Sequence, residues 1–196
     1  YEMESIRVGF AFCGSFCTYD KAAAALEQVK ADFGNVTPIV SERFAALDTR
    51  FGNAHDHLRE IERICDKRVI ATVQAAEPIG PGKLLDVLII APCTGNTLAK
   101  LAAGVTDSSV TMAAKAHLRN GRPLVIAMAT NDGLAAGARN VGELLCRKNV
   151  YFVPFRQDDP VGKPASLMAD FGLVSKTAQA ALEGRQLQPI LLGANP

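Results

Sequence analysis

Four short polar clusters hold the residues of this chain most suited to chemistry. They are Cys13-Gly14-Ser15-Phe16-Cys17-Thr18, Ser41-Glu42-Arg43, Pro92-Cys93-Thr94-Gly95-Asn96-Thr97 and Ala129-Thr130-Asn131-Asp132, and each follows an apolar run. Small residues, hydroxyls and amides dominate, which suits a binding cradle better than a hydrolytic triad. Gly14-Ser15 at the start of a helix offers free N–H groups to a phosphate, or serves only as a tight turn and cap. A dinucleotide fingerprint is missing, because only Gly9 and Gly14 stand in its place. A P-loop needs Lys and then Ser or Thr after its second glycine, where this chain has Ser15 and Phe16. The single phosphate of a mononucleotide fits the spacing better.

These clusters need elements to position them. Ile6–Phe12, Val36–Val40, Asp86–Ala91, Pro123–Met128 and Val150–Val153 read as buried strands, being short and apolar without polar alternation. Pro92 is expected to halt the third of these. Val69–Val73 reads as a further short strand. Helices are predicted over Tyr19–Phe33, around His57–Cys65, over Asn96–Ala103 and Ser109–Arg119, from a cap at Asn131 or Asp132 to Lys148, and over Ser166–Leu182. Asn96 can cap the helix it opens. Glu77–Gly82 and Gln157–Pro164 are loops, and Leu187–Leu192 is a tail that can pair at an edge. Alternating strands and helices give an α/β fold, a three-layer α/β/α doubly wound parallel sheet of Rossmann-like type in one domain over 1–196. Residues 1–5 are read as a leading segment outside it and 184–196 as a C-terminal tail. In such a sheet ligands bind beyond the carboxyl ends of the strands, which is where the polar clusters fall.

Composition narrows the partners. Lys and Arg number 21 against 20 Asp and Glu, a net charge of +1, so nothing electrostatic favours nucleic acid. No apolar run approaches the roughly 18 residues of a membrane span, and no secretory leader is read at the start. The five cysteines (Cys13, Cys17, Cys65, Cys93, Cys146) form no C-x-x-C pair and suit the reduced thiols of a cytoplasmic protein. Cys13 reads as a buried small hydrophobe, and Cys93 as the same or as a redox thiol. His55-Asp56-His57 converges poorly on one ion from a helix, so no metal site is expected. His117 reads as a helix-surface or partner-contact histidine. A dicarboxylate ligand would need cations, for which Arg43, Arg50, Lys115 and Arg119 are available. Glu77 can act as a base or cap a helix.

The Pro92–Thr97 loop after Asp86–Ala91, continuing through Gly104 and Asp107 to Thr111, resembles the P-A-S-A-N-T region of the FMN-binding flavoproteins. That family includes cysteine decarboxylases and flavin prenyltransferases. The resemblance implies that FMN is the cofactor and that the Gly14-Ser15 loop and Ser41 hold its phosphate, with Phe16, Cys17 and Arg43 also in the cofactor site. Ala91, Pro92, Cys93, Thr94, Gly95, Asn96 and Thr97, with Ser109, Thr111 and Thr130, complete the implied cofactor set. Thr94-Gly95 replaces the family's usual serine-alanine. The decarboxylases carry a histidine shortly before the strand that begins here at Asp86, and residues 68–85 contain none. Of their P-x-M-N-x-x-M-W segment, only the asparagine survives in Ala127–Leu134.

Gly14-Ser15-x-Cys17-Thr18-Tyr19, Pro38–Ser41, Thr49–Gly52, Ala76–Pro81, Met112–Gly121, Thr130–Asp132 and Lys148–Phe155 are similar to one branch of that family. Its members belong to a two-subunit oxidoreductase that forms a pyridine dicarboxylate in spore-forming bacteria. The resemblance therefore implies a small dicarboxylate substrate, a companion chain that supplies any NAD(P) site, and assembly into a homo-oligomer. Asn96 and Asn131, with Glu77, are the implied candidates for catalysis. The alternatives are a non-catalytic accessory chain with a vestigial flavin site, and a flavin-dependent decarboxylase or prenyltransferase.

Overall fold

The structure is a computed structural model that describes residues 6–50 and 52–193. The expected leading segment 1–5, Phe51 and the last three residues of the tail lie outside the described residues, as does the side chain of Phe16.

The core is a sheet whose central strands are almost entirely apolar and buried between their ends. Strand β1 (Arg7–Phe12) pairs in parallel with β2 (Asn35–Val40) on one side and β3 (Val87–Cys93) on the other. Beyond β3 lies β4 (Leu124–Thr130), also parallel, then β5 (Val150–Phe152) beside its first half. Five strands thus follow the predicted parallel arrangement. The sheet is nevertheless mixed. The far edge of β4 forks, because its last residues Ala129 and Thr130 pair antiparallel with β7 (Leu167–Ala169). Strand β6 (Phe155–Arg156) then pairs antiparallel with β7.

Helices cover both faces. Ala22, Leu26, Val29 and Phe33 recur at helical spacing on α1 (Tyr19–Phe33) and are buried against Val8, Phe10 and Phe12. Helices α3 (Ala54–Cys65) and α8 (Val174–Leu182) complete that layer. The opposite layer comprises α4 (Val73–Ala76), α5 (Gly95–Ala103), α6 (Ser109–Leu118) and α7 (Ala138–Leu145), packed on Ala11, Leu88, Ile90, Ile126 and Met128. Each fully buried Phe or Leu stabilises the fold by about 1.5–3 kcal/mol.

Several expectations are corrected. Of Val69–Val73, only Ile70 touches the sheet, through a bridge to Ile39, and Thr72 caps α4 instead of extending a strand. Pro92 does not halt β3, which runs on through Cys93 with a shift of register after Ile90. Asn131–Ala136 forms turns, and α7 begins only at Ala138. The Asp132 carbonyl accepts from the N–H groups of Ala135 and Gly137, closing that turn. Leu167–Ala169 is extended as β7, so the last helix is shorter than predicted. The five-residue α2 (Glu42–Ala46) has no counterpart among the predicted elements. The tail does pair: Phe155 N–H donates to Ile190 O and Leu192 N–H to Phe155 O, each at 2.9 Å.

The margins of the sheet are short or obstructed. Strands β5, β6 and β7 have three, two and three residues. At the other margin β2 contains Pro38, and Ile70 occupies the outer groups beside it, donating to Pro38 O and accepting from Val40 N–H.

Candidate functional site

At the carboxyl ends of β1, β3 and β4 the chain leaves the sheet through three loops, which enclose a cleft of about 690 Å³. Gly14, Ser15 and Cys17 form one wall and Thr94, Gly95 and Asn96 a second. Ala129, Thr130, Asn131 and Asp132 form a third, and Thr49 with Arg50 reaches in from the segment after α2.

Local forces explain how each wall stands. After β1, Ser15 O accepts from Thr18 N–H at 3.2 Å and Thr18 Oγ1 at 2.9 Å, and Thr18 Oγ1 also lies 3.0 Å from Ser15 Oγ. This closes a tight 3-10 turn ahead of α1. After β3, Thr94 is the residue that caps α5, accepting from Thr97 N–H at 3.2 Å, so the cap expected at Asn96 sits two residues earlier. Asn96 is exposed and faces the cleft instead. Thr94 Oγ1 donates to Thr97 Oγ1 at 3.1 Å, and Thr97 Oγ1 donates to Cys13 Sγ at 3.2 Å. That chain of contacts ties the first wall to the second from below.

The second and third walls meet at Gly95. A Cβ there would lie 2.6 Å from Thr130 Oγ1 and 3.0 Å from Asp132 Oδ1, so any other residue would push the loops apart. Thr130 Oγ1 in turn donates to Asp132 Oδ1. The Thr49–Arg50 wall is a tight turn, with Thr49 and Gly52 exchanging backbone hydrogen bonds at 3.0 and 3.1 Å. Gly52 has φ +133°, and a Cβ on it would stand 2.6 Å from His57 Nε2, so the turn rests on the imidazole of α3. His57 is itself buried and stacked on Tyr19, with ring centroids 4.0 Å apart.

Eight residues expected at the site therefore line one cleft: Gly14, Ser15, Cys17, Thr94, Gly95, Asn96, Thr130 and Asn131. Others support it or lie elsewhere. Ala91, Pro92 and Cys93 are buried in β3 and Thr97 lies beneath the loop. Ser41 caps α2 by accepting from Phe44 N–H, and Arg43 is exposed on that helix. Ser109 is fully buried and donates to Val40 O, while its N–H points at both carboxylate oxygens of Glu42, 3.1 Å away. Glu42 thus already supplies the anion that the start of α6 attracts. Thr111 is buried in a capping box with Ser108. Glu77 sits on the exposed turn after α4 and does not line the cleft. Ala129, from the fourth polar cluster, lines it as well, and so does Thr49, which is not among the sequence candidates for the site. The Thr49–Gly52 string, one of those that carry the family resemblance, was the available signal for Thr49.

Burial decides the thiols and histidines. It pushes the Cys13 thiol up to about 11 and raises Cys93 well above its ordinary value, so neither supplies a thiolate near neutral pH. His55 is exposed while His57 is buried, so the two point apart on α3. No group of three metal-ligating side chains occurs among the described residues. His117 is not on a surface: it is 1% exposed, with Nε2 2.9 Å from Pro123 O. No helix among the described residues is long and apolar enough to cross a membrane.

Comparison with known proteins gives a consistent result. The model of the flavoprotein family matches residues 1–153. The B subunit of dipicolinate synthase from Bacillus subtilis (strain 168) is 42% identical over 186 residues, which covers 95% of this chain and 93% of that protein. The crystal structure of the B subunit of dipicolinate synthase from Bacillus halodurans superposes with a TM-score of 0.90 at 40% identity, covering all of both chains. The FMN-dependent cysteine decarboxylase SpaF superposes with a TM-score of 0.68 at 21% identity, over 93% of this chain and 98% of its own, and so shares the fold.

Proposed function

Because the chain belongs to the flavoprotein family, we propose that it holds FMN in the cleft and acts as the B subunit of a dipicolinate-forming oxidoreductase. In this reading it works with the A subunit of dipicolinate synthase, which supplies any NAD(P) site, and oxidises a dihydrodipicolinate-type precursor during sporulation. The observation that carries the flavin reading is the cleft itself. It sits beyond three adjacent parallel strands and is walled by glycines, hydroxyls and amides, and its volume falls in the range of about 300–1,000 Å³ usual for small-molecule sites.

The donor set suits that cofactor. Gly14 and the Ser15 hydroxyl, on the loop ahead of the 3-10 turn that leads into α1, would hold the phosphate, the Ser15 N–H itself being taken by Cys13 O at 2.9 Å. Thr49, Thr94 and Thr130 offer hydroxyls to a polyol chain, and the amides of Asn96 and Asn131 can match the alternating donors and acceptors of a pyrimidine-dione edge. When bound, the flavin supplies a hydride acceptor, and aromatisation of the dihydropyridine ring supplies driving force. The protein's own share is orientation: Gly95 lets the second and third walls close on each other, and the Cys13–Thr97–Thr94 contacts fix the floor. Asn96 and Asn131 orient the flavin or the substrate from the rim.

The visible spectrum of the purified protein after loading with FMN and gel filtration tests this reading. Retained flavin bands are the expected result, with weaker retention in Asn96→Ala. Failure to retain flavin even at high FMN would leave a non-catalytic partner of the companion chain as the better reading.

A further inference from the structure

A dicarboxylate needs a fixed cation, and the sequence offers four candidates whose positions in the fold separate them. Lys115 and Arg119 are placed near the far end of α6, which runs from Ser109 beside Val40 to His117 beside Pro123 and so carries them toward the amino ends of the strands. Arg43 is exposed on α2 and does not line the cleft. Arg50 does line it, and is the one cationic side chain to do so among the described residues. We infer that Arg50 is the residue that recognises a carboxylate of the substrate, an inference that rests on the function proposed above.

The way Arg50 is held supports the assignment. It stands at the tip of a turn closed at both ends by the Thr49–Gly52 backbone pair. That turn is seated on buried His57, and the residues after it are tied down where Asp48 accepts from Ala54 N–H at 2.8 Å. A planar guanidinium presented from a braced turn can engage a carboxylate through two parallel hydrogen bonds, which a lysine cannot reproduce. With the phosphate held at Gly14 and Ser15 as proposed above, on a different wall from Arg50, the cleft can receive two anionic groups, a phosphate and a carboxylate, at separate places.

Either anion could engage Arg50, and two titrations on the same variants distinguish them. FMN is titrated into wild type, Arg50→Gln and Arg50→Lys, followed by flavin fluorescence. Dipicolinate is then titrated into each FMN-loaded protein, both by itself and with the companion chain present, by calorimetry. The expected result is a loss of dipicolinate affinity of about 10- to 100-fold in Arg50→Gln, a smaller loss in Arg50→Lys, and FMN affinity within about threefold of wild type. Gly52→Ala, which keeps the charge but displaces the turn, should weaken dipicolinate in the same direction. Weakened FMN with unchanged dipicolinate would overturn the inference and make Arg50 a phosphate residue. Unchanged affinity for both would also overturn it while leaving the flavin reading intact. A wild-type protein that takes up neither ligand would overturn both.

Discussion

The two edges of the same sheet are built from opposite materials. At the amino edge, charges are present and satisfied. The Arg7 guanidinium grips Asp86 with Nε and Nη2 at 3.0 and 2.8 Å, Arg7 N–H adds a third bond at 2.9 Å, and Arg122 approaches the same carboxylate at 3.0 Å. Arg122 also donates to the carbonyl of Leu85. The Asp86 carboxyl is accordingly held below the usual range, chiefly by the hydrogen bond from Arg7. At the carboxyl edge, hydroxyls, amides and glycines predominate, and Arg50 and Asp132 are the charged residues of the cleft wall. A dense, mutually satisfied ion cluster binds strands together and has little left for a ligand. A sparse edge of short polar groups around a cleft is where a ligand finds partners.

The largest effect that would sharpen this contrast belongs to the amino edge. Burial pushes the His117 imidazole down to about 4 from an ordinary value near 6.5, against the opposing hydrogen bond to Pro123 O. Between those two values the unfolded chain binds a proton that the folded chain does not. Stability is therefore complete above about pH 6.5 and declines as pH falls toward 4, by up to about 3 kcal/mol. Denaturant unfolding followed from pH 7.5 to 4 should show that slope, and His117→Gln should flatten it without altering FMN retention. A flavin affinity that followed His117 would break the separation of the two edges.

The next effect belongs to the carboxyl edge. Gly95→Val forces a side chain against Thr130 and Asp132, and should weaken FMN retention by about 30-fold, on the order of 2 kcal/mol, while leaving the pH slope of unfolding in place. The smallest effect links edge and scaffold. Thr94→Ala removes the cap of α5 and should cost about 1 kcal/mol, read as a fall in Tm of about 2–4 °C. A fall far larger than this would mean that the Thr94–Thr97–Cys13 contacts support much more than one helix end.

Much of this fold is legible from residue order. Strands β1, β3 and β4 are runs in which nearly every residue is buried, and nothing but a central strand reads that way. The fifteen residues of α1 match the predicted span because alanines, Leu26, Val29 and Phe33 keep helical phase throughout. What the pattern missed was decided by partners distant in sequence or by segments too short to show a period. Leu167-Met168-Ala169 continues smoothly into a helical sequence, and only pairing with Ala129 and Thr130 makes it a strand. Val69–Val73 has strand propensity, but one residue finds a pairing partner and Thr72 is better used as a cap. Five residues of α2 cannot display periodicity. At the site, residue types alone could not separate Ser109, turned inward to Val40, from Thr130, turned to the cleft.

The short and obstructed margins of the sheet have a consequence for how copies of this chain behave when crowded. A sheet with long bare edges is a template on which other strands polymerise, and a largely parallel core of this apolarity would be a hazardous one. Here one margin is broken into pieces of two and three residues running in opposite directions. On the other, Pro38 lacks the N–H that an incoming strand would need and Ile70 already occupies the groups beside it. Neither side offers an incoming strand an unbroken ladder, so the molecule carries its own guard against edge-to-edge aggregation.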